Sequence, residues 1–414
     1  MATEQTSRIT GISAERAEQL LKEIVGIRSV VGEDTTAHLW MKEQMEEIGM
    51  TVETYPVEGR TVPLVLGVIE GEGEAPGVLF DGHFDTVHAV PSDWSHDPWD
   101  PIVEDGVLYG RGAVDSKGSM VAMLMATKAV VDSGAPRGGP LYFMSDSDGE
   151  DGFRGAALMA DLGIIDRIGT MWSAEATSNR GVEIAYPGIS TWKITAIGRT
   201  AHPTEPEHGI NAVTKMAKLV AAVDEGRMEL PMGDSRWFGP RVTTNGIRTR
   251  PGGGWAIPAR CDAVLSILSP PGATLNEVRD AVDAFLRMLE QEDGEVRYER
   301  KILPMGSGRL WLRPGEVDPE HAGVKALEAA IREHGRNDPE VRKFNGGWVD
   351  AVELMRPAGN GFDEPATITF GPGDFELAHT VDEHIPIEEV AEAAEIYAAA
   401  TLDLLSQRKG ATDA

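Results

Sequence analysis

The spacing of apolar and polar positions divides the chain into two rhythms. Residues 13–26 place Ala17, Leu20, Leu21, Ile24 and Val25 on one helical face and end at Gly26. A second helix is predicted over 36–48, with Trp40, Met41, Met45 and Ile48 facing inward and Gly49 as its cap. Extended segments follow at 51–57, 63–70 and 77–80, the last apolar enough to be buried on both faces. Then come a helix over 118–133, a strand over 141–145, a helix beginning near Gly155 and a strand over 170–174. Strands and helices alternate, and polar residues gather just after the strand ends, where open α/β sheets hold their ligands.

From Gly188 the rhythm changes. A strand (189–198), a helix (209–224), two strands (241–249 and 256–268), a helix opened by Thr274 and Glu277, and a strand (295–302) give the order βαββαβ, that of a ferredoxin-like module. Residues 251–254 read as a hairpin tip. Helical and strand patterns resume at 319–335 and 366–370. The expected fold is therefore α/β, with a mixed, largely parallel sheet flanked by helices formed from 1–187 and 303–414. An α+β domain is inserted over 188–302.

Composition narrows the classes of function. The 414 residues are 41% hydrophobic, enough for two full cores, and no run of apolar residues is long enough to span a membrane. A formal charge of −29 repels nucleic acid and anionic lipid and otherwise reads as a well-solvated surface. Cys261 is the single cysteine, and the first ten residues lack a basic start followed by an apolar run. A cytoplasmic location is the expectation.

The chemistry gathers between residues 79 and 118. There LFDGHFDTVHAV delivers His83 and, two residues on, Asp85, the pattern of a metal-ligating imidazole oriented by an acid behind it. GRGAVDSKG then delivers Asp115 on a glycine-rich turn before a helix. Further acids lie in SDSDGEDG and at Glu175, and GPGDFELAHTVDEH supplies His379. Imidazoles and carboxylates gathered in this way make a mixed nitrogen and oxygen donor set suited to zinc, with manganese or cobalt as substitutes.

Taken in order, GHFDTV, GRGAVDSKG, DGEDGFRGA, Glu175, GRTAHPTEPEHGINAV and FGPG…AHTVDE resemble one family across nearly the whole chain. It is the family of aminoacylases, acetylornithine deacetylases, succinyl-diaminopimelate desuccinylases and glutamate carboxypeptidases, which are co-catalytic two-metal amidohydrolases. The resemblance implies that Asp115 bridges two divalent ions, that His83 and Glu175 complete one, and that Glu150 and His379 complete the other. It implies that Asp85 holds His83. It also implies a homodimer through the inserted lid domain, with His202 reaching the partner's site to stabilise the oxyanion and contact substrate.

Two positions depart from the family pattern. The family has adjacent glutamates after the fourth core strand, the first a general base and the second a ligand; here Glu150 takes the ligand position and Gly149 the base position. Asp148 is the first candidate for a replacement base, with Asp146 or Asp151 behind it. The other readings are a more reactive substrate attacked by metal-activated water without a side-chain base, or a protein that kept its ligands and lost catalysis. A single-metal site also stays open. In the inserted domain, Trp255 and Leu268 stand where the family has an asparagine and an arginine that grip the product carboxylate. Leucine removes a bidentate grip, tryptophan offers a flat apolar surface, and Arg248 or Arg250 could take over. The expected activity is metal-dependent hydrolysis of an amide or N-acyl bond outside the ordinary peptide set, in a substrate with an aromatic or apolar group. The alternatives are an aminohydrolase releasing ammonia from an activated aromatic amine and an inactive metal-binding homologue.

Overall fold

A computed structural model describes residues 9–233, 235–249, 255–305, 308–344, 346, 348–357 and 363–406. Arg250 and the tip at 251–254 lie outside the described residues. In chain order the elements are α1 (Ala14–Gly26), α2 (Ala37–Ile48), β1 (Thr51–Tyr55), β2 (Leu64–Ile69), β3 (Gly77–His83), β4 (Ile102–Glu104), β5 (Val107–Tyr109), α3 (Gly118–Asp132), β6 (Leu141–Asp146), α4 (Arg154–Asp161), β7 (Ile168–Ala174) and β8 (Gly181–Tyr186). They continue as β9 (Gly188–Ile197), α5 (Ala212–Asp224), β10 (Arg241–Thr249), β11 (Arg260–Ser269), α6 (Leu275–Asp293), β12 (Arg297–Leu303) and β13 (Gly315–Glu316). The last are α7 (Ala322–His334), β14 (Glu340–Lys343), β15 (Arg356–Pro357), β16 (Asp363–Glu364), β17 (Ala366–Phe370), β18 (His384–Pro386) and α8 (Ile387–Ser406).

The chain divides into two compact units, residues 1–184 with 317–414, and residues 185–316. In the first, the strand order runs β1-β2-β6-β3-β7-β17-β8. The central four, β6-β3-β7-β17, are parallel, and the outer pairings of β1, β2 and β8 are antiparallel. This is the mixed sheet expected, parallel at its centre, with three parallel and three antiparallel pairings along this path. Every residue of β3 is buried, as a central strand covered on both faces must be. One cover is α3 packed on α8, where Tyr397 meets Phe80 and Phe370 edge-on at 5.5 and 5.1 Å.

The second unit is a four-stranded antiparallel sheet of order β10-β11-β9-β12 with α5 and α6, the ferredoxin-like arrangement. Along β11 buried and half-buried positions alternate, so one face supplies Cys261, Ala263, Leu265 and Ile267 to the core. Thr274 and Glu277 close a reciprocal capping box at the start of α6. Elements absent from the sequence reading are the β4–β5 hairpin, β8, the short strands β13 to β16, β18 and α8.

Candidate metal centre

The parallel strands of the first unit all point their C-terminal ends at one place. β3 ends on His83, β7 is followed by Glu175, and the loop after β6 carries Glu150. The loop after β17 brings His379, and Asp115 sits in the turn before α3. Two groups of potential ligand atoms result, His83, Asp115 and Glu175, and Asp115, Glu150 and His379, with the atoms of each group within 4.8 Å of one another. Asp115 belongs to both. Its Oδ1 lies 3.3 Å from His83 Nε2, and its Oδ2 lies 3.0 Å from His379 Nε2. Glu175 Oε1 is 3.8 Å from His83 Nε2, and Glu150 Oε1 is 3.1 Å from His379 Nε2. Tetrahedral bonds of about 2.1 Å separate ligand atoms by about 3.4 Å, so these spacings suit an ion in each group. Asp115 Oδ1 and Glu175 Oε2 are buried with no hydrogen-bond partner, acceptors that a cation would satisfy.

The supporting contacts hold each ligand from behind. His83 Nδ1 faces the Asp85 carbonyl at 3.0 Å and its carboxylate at 3.3 Å, which leaves Nε2 for Asp115 and Glu175. The same Asp85 carboxylate accepts the backbone N–H groups of Gly149 and Glu150, each at 3.0 Å. One acid therefore positions a ligand on β3 and a ligand on the next loop. Sequence reasoning missed Glu383. Its buried carboxylate accepts the N–H groups of Gly112, Val114 and Asp115 at 3.1, 2.8 and 3.1 Å and pairs with Arg111, which fixes the Asp115 turn. Lys117 braces that turn from the other side by donating to the carbonyls of Ile24 and Ile27 at 3.0 and 2.9 Å. His379 is held at φ 62, the left-handed region, a conformation non-glycine residues keep mainly where surrounding structure imposes it.

Burial and like charge set the electrostatics. Burial opposes a charged His83, yet Asp115, Asp85 and Glu175 prevail and raise its pKa well above the usual value. Hydrogen bonding to Asp115 and Glu150 raises His379 to about 10. Burial, then the Asp115 charge, pushes Glu175 up to about 8. Burial would raise Asp115 too, but the two imidazoles hold it below the usual carboxylate range. The metal-free cluster thus keeps protons on both imidazoles at neutral pH, and an ion must displace them. Apparent metal affinity should rise with pH toward 10, and loading at pH 7 should release protons from the two imidazoles and from Glu175. Zinc titration calorimetry in buffers of different ionisation enthalpy measures this; an enthalpy independent of buffer would contradict it.

The loop acids are held by contacts of their own. Asp148 is fully buried, with Oδ1 paired to Arg60 and Oδ2 accepting the Arg154 backbone N–H at 3.1 Å and its guanidinium at 2.9 Å. Both oxygens are committed, which corrects the expectation that Asp148 serves as general base. Asp151 pairs with Arg60 at 2.7 Å, and Asp146 is fully buried beneath Gly155. Nor can Gly149 be exchanged freely, because a Cβ there would lie 2.3 Å from His83 Cγ. Asp148→Asn should therefore act on stability. Replacing one partner of a buried ion pair costs about 3–5 kcal/mol, so a clear fall in Tm is expected while the pH profile of kcat/KM on the folded variant stays unchanged. Loss of the alkaline or acidic limb of that profile would restore Asp148 to a proton-transfer role.

The remaining candidates lie on the second unit. His202 is exposed, with Nδ1 at 2.6 Å from Thr204 Oγ1. Trp255 is 84% exposed, and Leu268 is half-buried on β11. The register puts Arg241 of β10 directly opposite Leu268, on the same face of the sheet, so an arginine is the cross-strand neighbour of the position where arginine was expected. Arg248 pairs in register with Asp262, near the other end of the strand.

A mixed α/β sheet with two ligand triads sharing one carboxylate at the C-terminal ends of its parallel strands defines the class of co-catalytic metallohydrolases. The chain belongs to peptidase family M20/M25/M40, whose sequence model matches residues 79–403. It is a metal-dependent hydrolase of amide or peptide-like bonds. It is 26% identical over 401 residues, 89% of each chain, to an N-formyl-4-amino-5-aminomethyl-2-methylpyrimidine deformylase of Bacillus subtilis. It is 29% identical over 407 residues, 91% of this chain and 95% of the other, to a probable succinyl-diaminopimelate desuccinylase of Staphylococcus epidermidis. Among solved structures, a tripeptidase of Staphylococcus aureus matches at a TM-score of 0.76 and 20% identity, covering 96% of this chain and all (100%) of the other. A Bacillus subtilis protein described as a dinuclear metal-binding peptidase of the family matches at 0.67 and 13% identity, covering 95% and 98%. No helix of the described residues is long and apolar enough to cross a membrane.

Proposed function

We propose that this chain hydrolyses the amide bond of a small N-acyl molecule, with zinc, or manganese or cobalt in its place, in the two triads joined by Asp115. The shared carboxylate is the observation that carries this reading: one aspartate with an imidazole 3.0–3.3 Å from each of its oxygens. Bound metal at these residues supplies Lewis acidity at the scissile carbonyl and a lowered pKa for water. The chain's own residues do the positioning. Asp85 orients His83 and ties down the Glu150 loop, and Glu383 fixes Asp115. Gly149 carries no side chain and Asp148 is paired with Arg60 and Arg154, so on this reading neither supplies a base. A small, electrophilic acyl group that needs least help with proton transfer suits such a site. The named activity of the Bacillus subtilis relative, a deformylase of an aminopyrimidine, points the same way.

Arg241 favours a second reading, in which the substrate is an N-acyl amino acid whose carboxylate it grips. Both readings use a homodimer in which His202 serves the partner's site, and light scattering on the purified protein tests that assembly. Product detection by mass spectrometry tests the substrate class, with zinc- or manganese-loaded protein offered N-formyl and N-acetyl derivatives of neutral amines and of amino acids. Metal-dependent turnover of the neutral amides, absent in His83→Ala, is the expected result. Turnover confined to amino-acid derivatives and lost in Arg241→Ala would favour the second reading, and none in either set would contradict both.

A further inference from the structure

Beside the second triad the fold places an aromatic structure that the positioning of the ligands does not use. Phe344 is buried and meets Phe375 edge-on, ring centroids 5.8 Å apart at 71°. Phe375 lies four residues before His379 in the same loop. Trp348 stacks on Phe153 at 6.0 Å and 27°, and Phe153 lies three residues after Glu150. A single stretch of chain thus sets one ring against the loop of each ligand that is particular to that triad. Gly346, between the two rings, has no space for a Cβ, which would fall 2.4 Å from Phe344 Cζ and 2.5 Å from Phe375 Cζ. Phe153 is held at φ 57, so its ring is kept against Trp348 by a backbone conformation that phenylalanine seldom adopts.

Phe153, Trp348 and Phe375 are each only half-buried, so part of each side chain stays open to a ligand. Four cations on or against the turns and loops of the ligands are committed elsewhere: Arg60 and Arg154 to Asp148, Arg111 to Glu383, and Lys117 to two backbone carbonyls. The loops that carry Glu150 and His379 thus each hold a partly exposed aromatic ring against the 344–348 segment. Flat rings of this kind favour stacked or edge-on contact with another ring over contact with an alkyl chain of the same size.

We propose that Phe153, Trp348 and Phe375 form a specificity wall that selects a planar aromatic or heteroaromatic ring on the group attached to the scissile amide. This rests on reading the centre as an amide hydrolase, and the test separates the two. Zinc-loaded protein is assayed on N-formyl benzylamine and N-formyl cyclohexylmethylamine, which share the acyl group and differ in the ring. The wild type should prefer the aromatic member in kcat/KM on the order of 10- to 100-fold. Trp348→Leu and Phe375→Leu should each remove most of that preference, kcat/KM on the benzyl substrate falling about tenfold further than on the cyclohexyl substrate, and Trp348→Phe should restore part of it. Equal losses on both substrates, or an unchanged preference, would overturn the wall. If neither amide is cleaved, the hydrolase reading fails and the wall is read from binding instead. Calorimetry should then show benzylamine binding the zinc-loaded protein more tightly than cyclohexylmethylamine, with the difference lost in Trp348→Leu. Equal binding, or no binding of either amine, would overturn it.

Discussion

Gly149→Glu should lower amide hydrolysis by about 100-fold or more, although it installs the residue type that the family resemblance places at this position. The reason lies at the first side-chain atom. A Cβ at 149 would sit 2.3 Å from His83 Cγ and 2.4 Å from Cδ2, so either the imidazole or the loop must move. If the ring moves, the first triad loses its nitrogen. If the loop moves, the two N–H bonds to Asp85 break and Glu150 leaves the second triad. Losing support behind a ligand alone costs 10- to 100-fold in metal affinity or activity, and displacing the ligand costs more. Gly149→Ala should fall by a similar factor, because the clash begins at Cβ. Steady-state kinetics on the pair decides the matter: a gain in Gly149→Glu beside a loss in Gly149→Ala would mean the loop can present a base.

Asp115→Asn should cost about 1,000-fold or more in kcat/KM even with metal in excess. The substitution removes the only charge that both triads share and turns one of its two acceptor oxygens into a donor nitrogen. Lewis-acid assistance is worth several kcal/mol, and each 1.36 kcal/mol is tenfold in rate. Circular dichroism of the metal-free variant should match the metal-free wild type, since Glu383 grips the backbone of this turn rather than the Asp115 side chain. Retained activity within tenfold would show that Asp115 does not hold metal in the active protein.

Much of this centre was legible because its ligands sit in short motifs at strand ends, where periodicity and glycine turns mark position. The parts that were not legible are long-range. Nothing around Asp148 announces that Arg60, 88 residues away, claims one of its oxygens. Glu383 acts on N–H groups about 270 residues earlier, a bond no local pattern encodes. Arg241 comes opposite Leu268 only through the register of β10, which is shifted by an irregularity between Thr244 and Gly246. Helix α8 carries buried residues around most of its circumference because it packs against α1, α3 and α7, so it lacks the apolar stripe that marks a surface helix. The β4–β5 hairpin did carry a signal, Asp105-Gly106 with both residues at positive φ, but its strands of three residues are too short to show alternation.

Metal content per folded chain, measured by plasma mass spectrometry after zinc loading and gel filtration, bears most directly on the paired triads. Two ions are expected in the wild type, about one in His379→Ala, which leaves the His83, Asp115 and Glu175 group intact, and fewer than one in Asp115→Asn. A single ion in the wild type that persists undiminished in both variants would contradict a centre built on a shared Asp115.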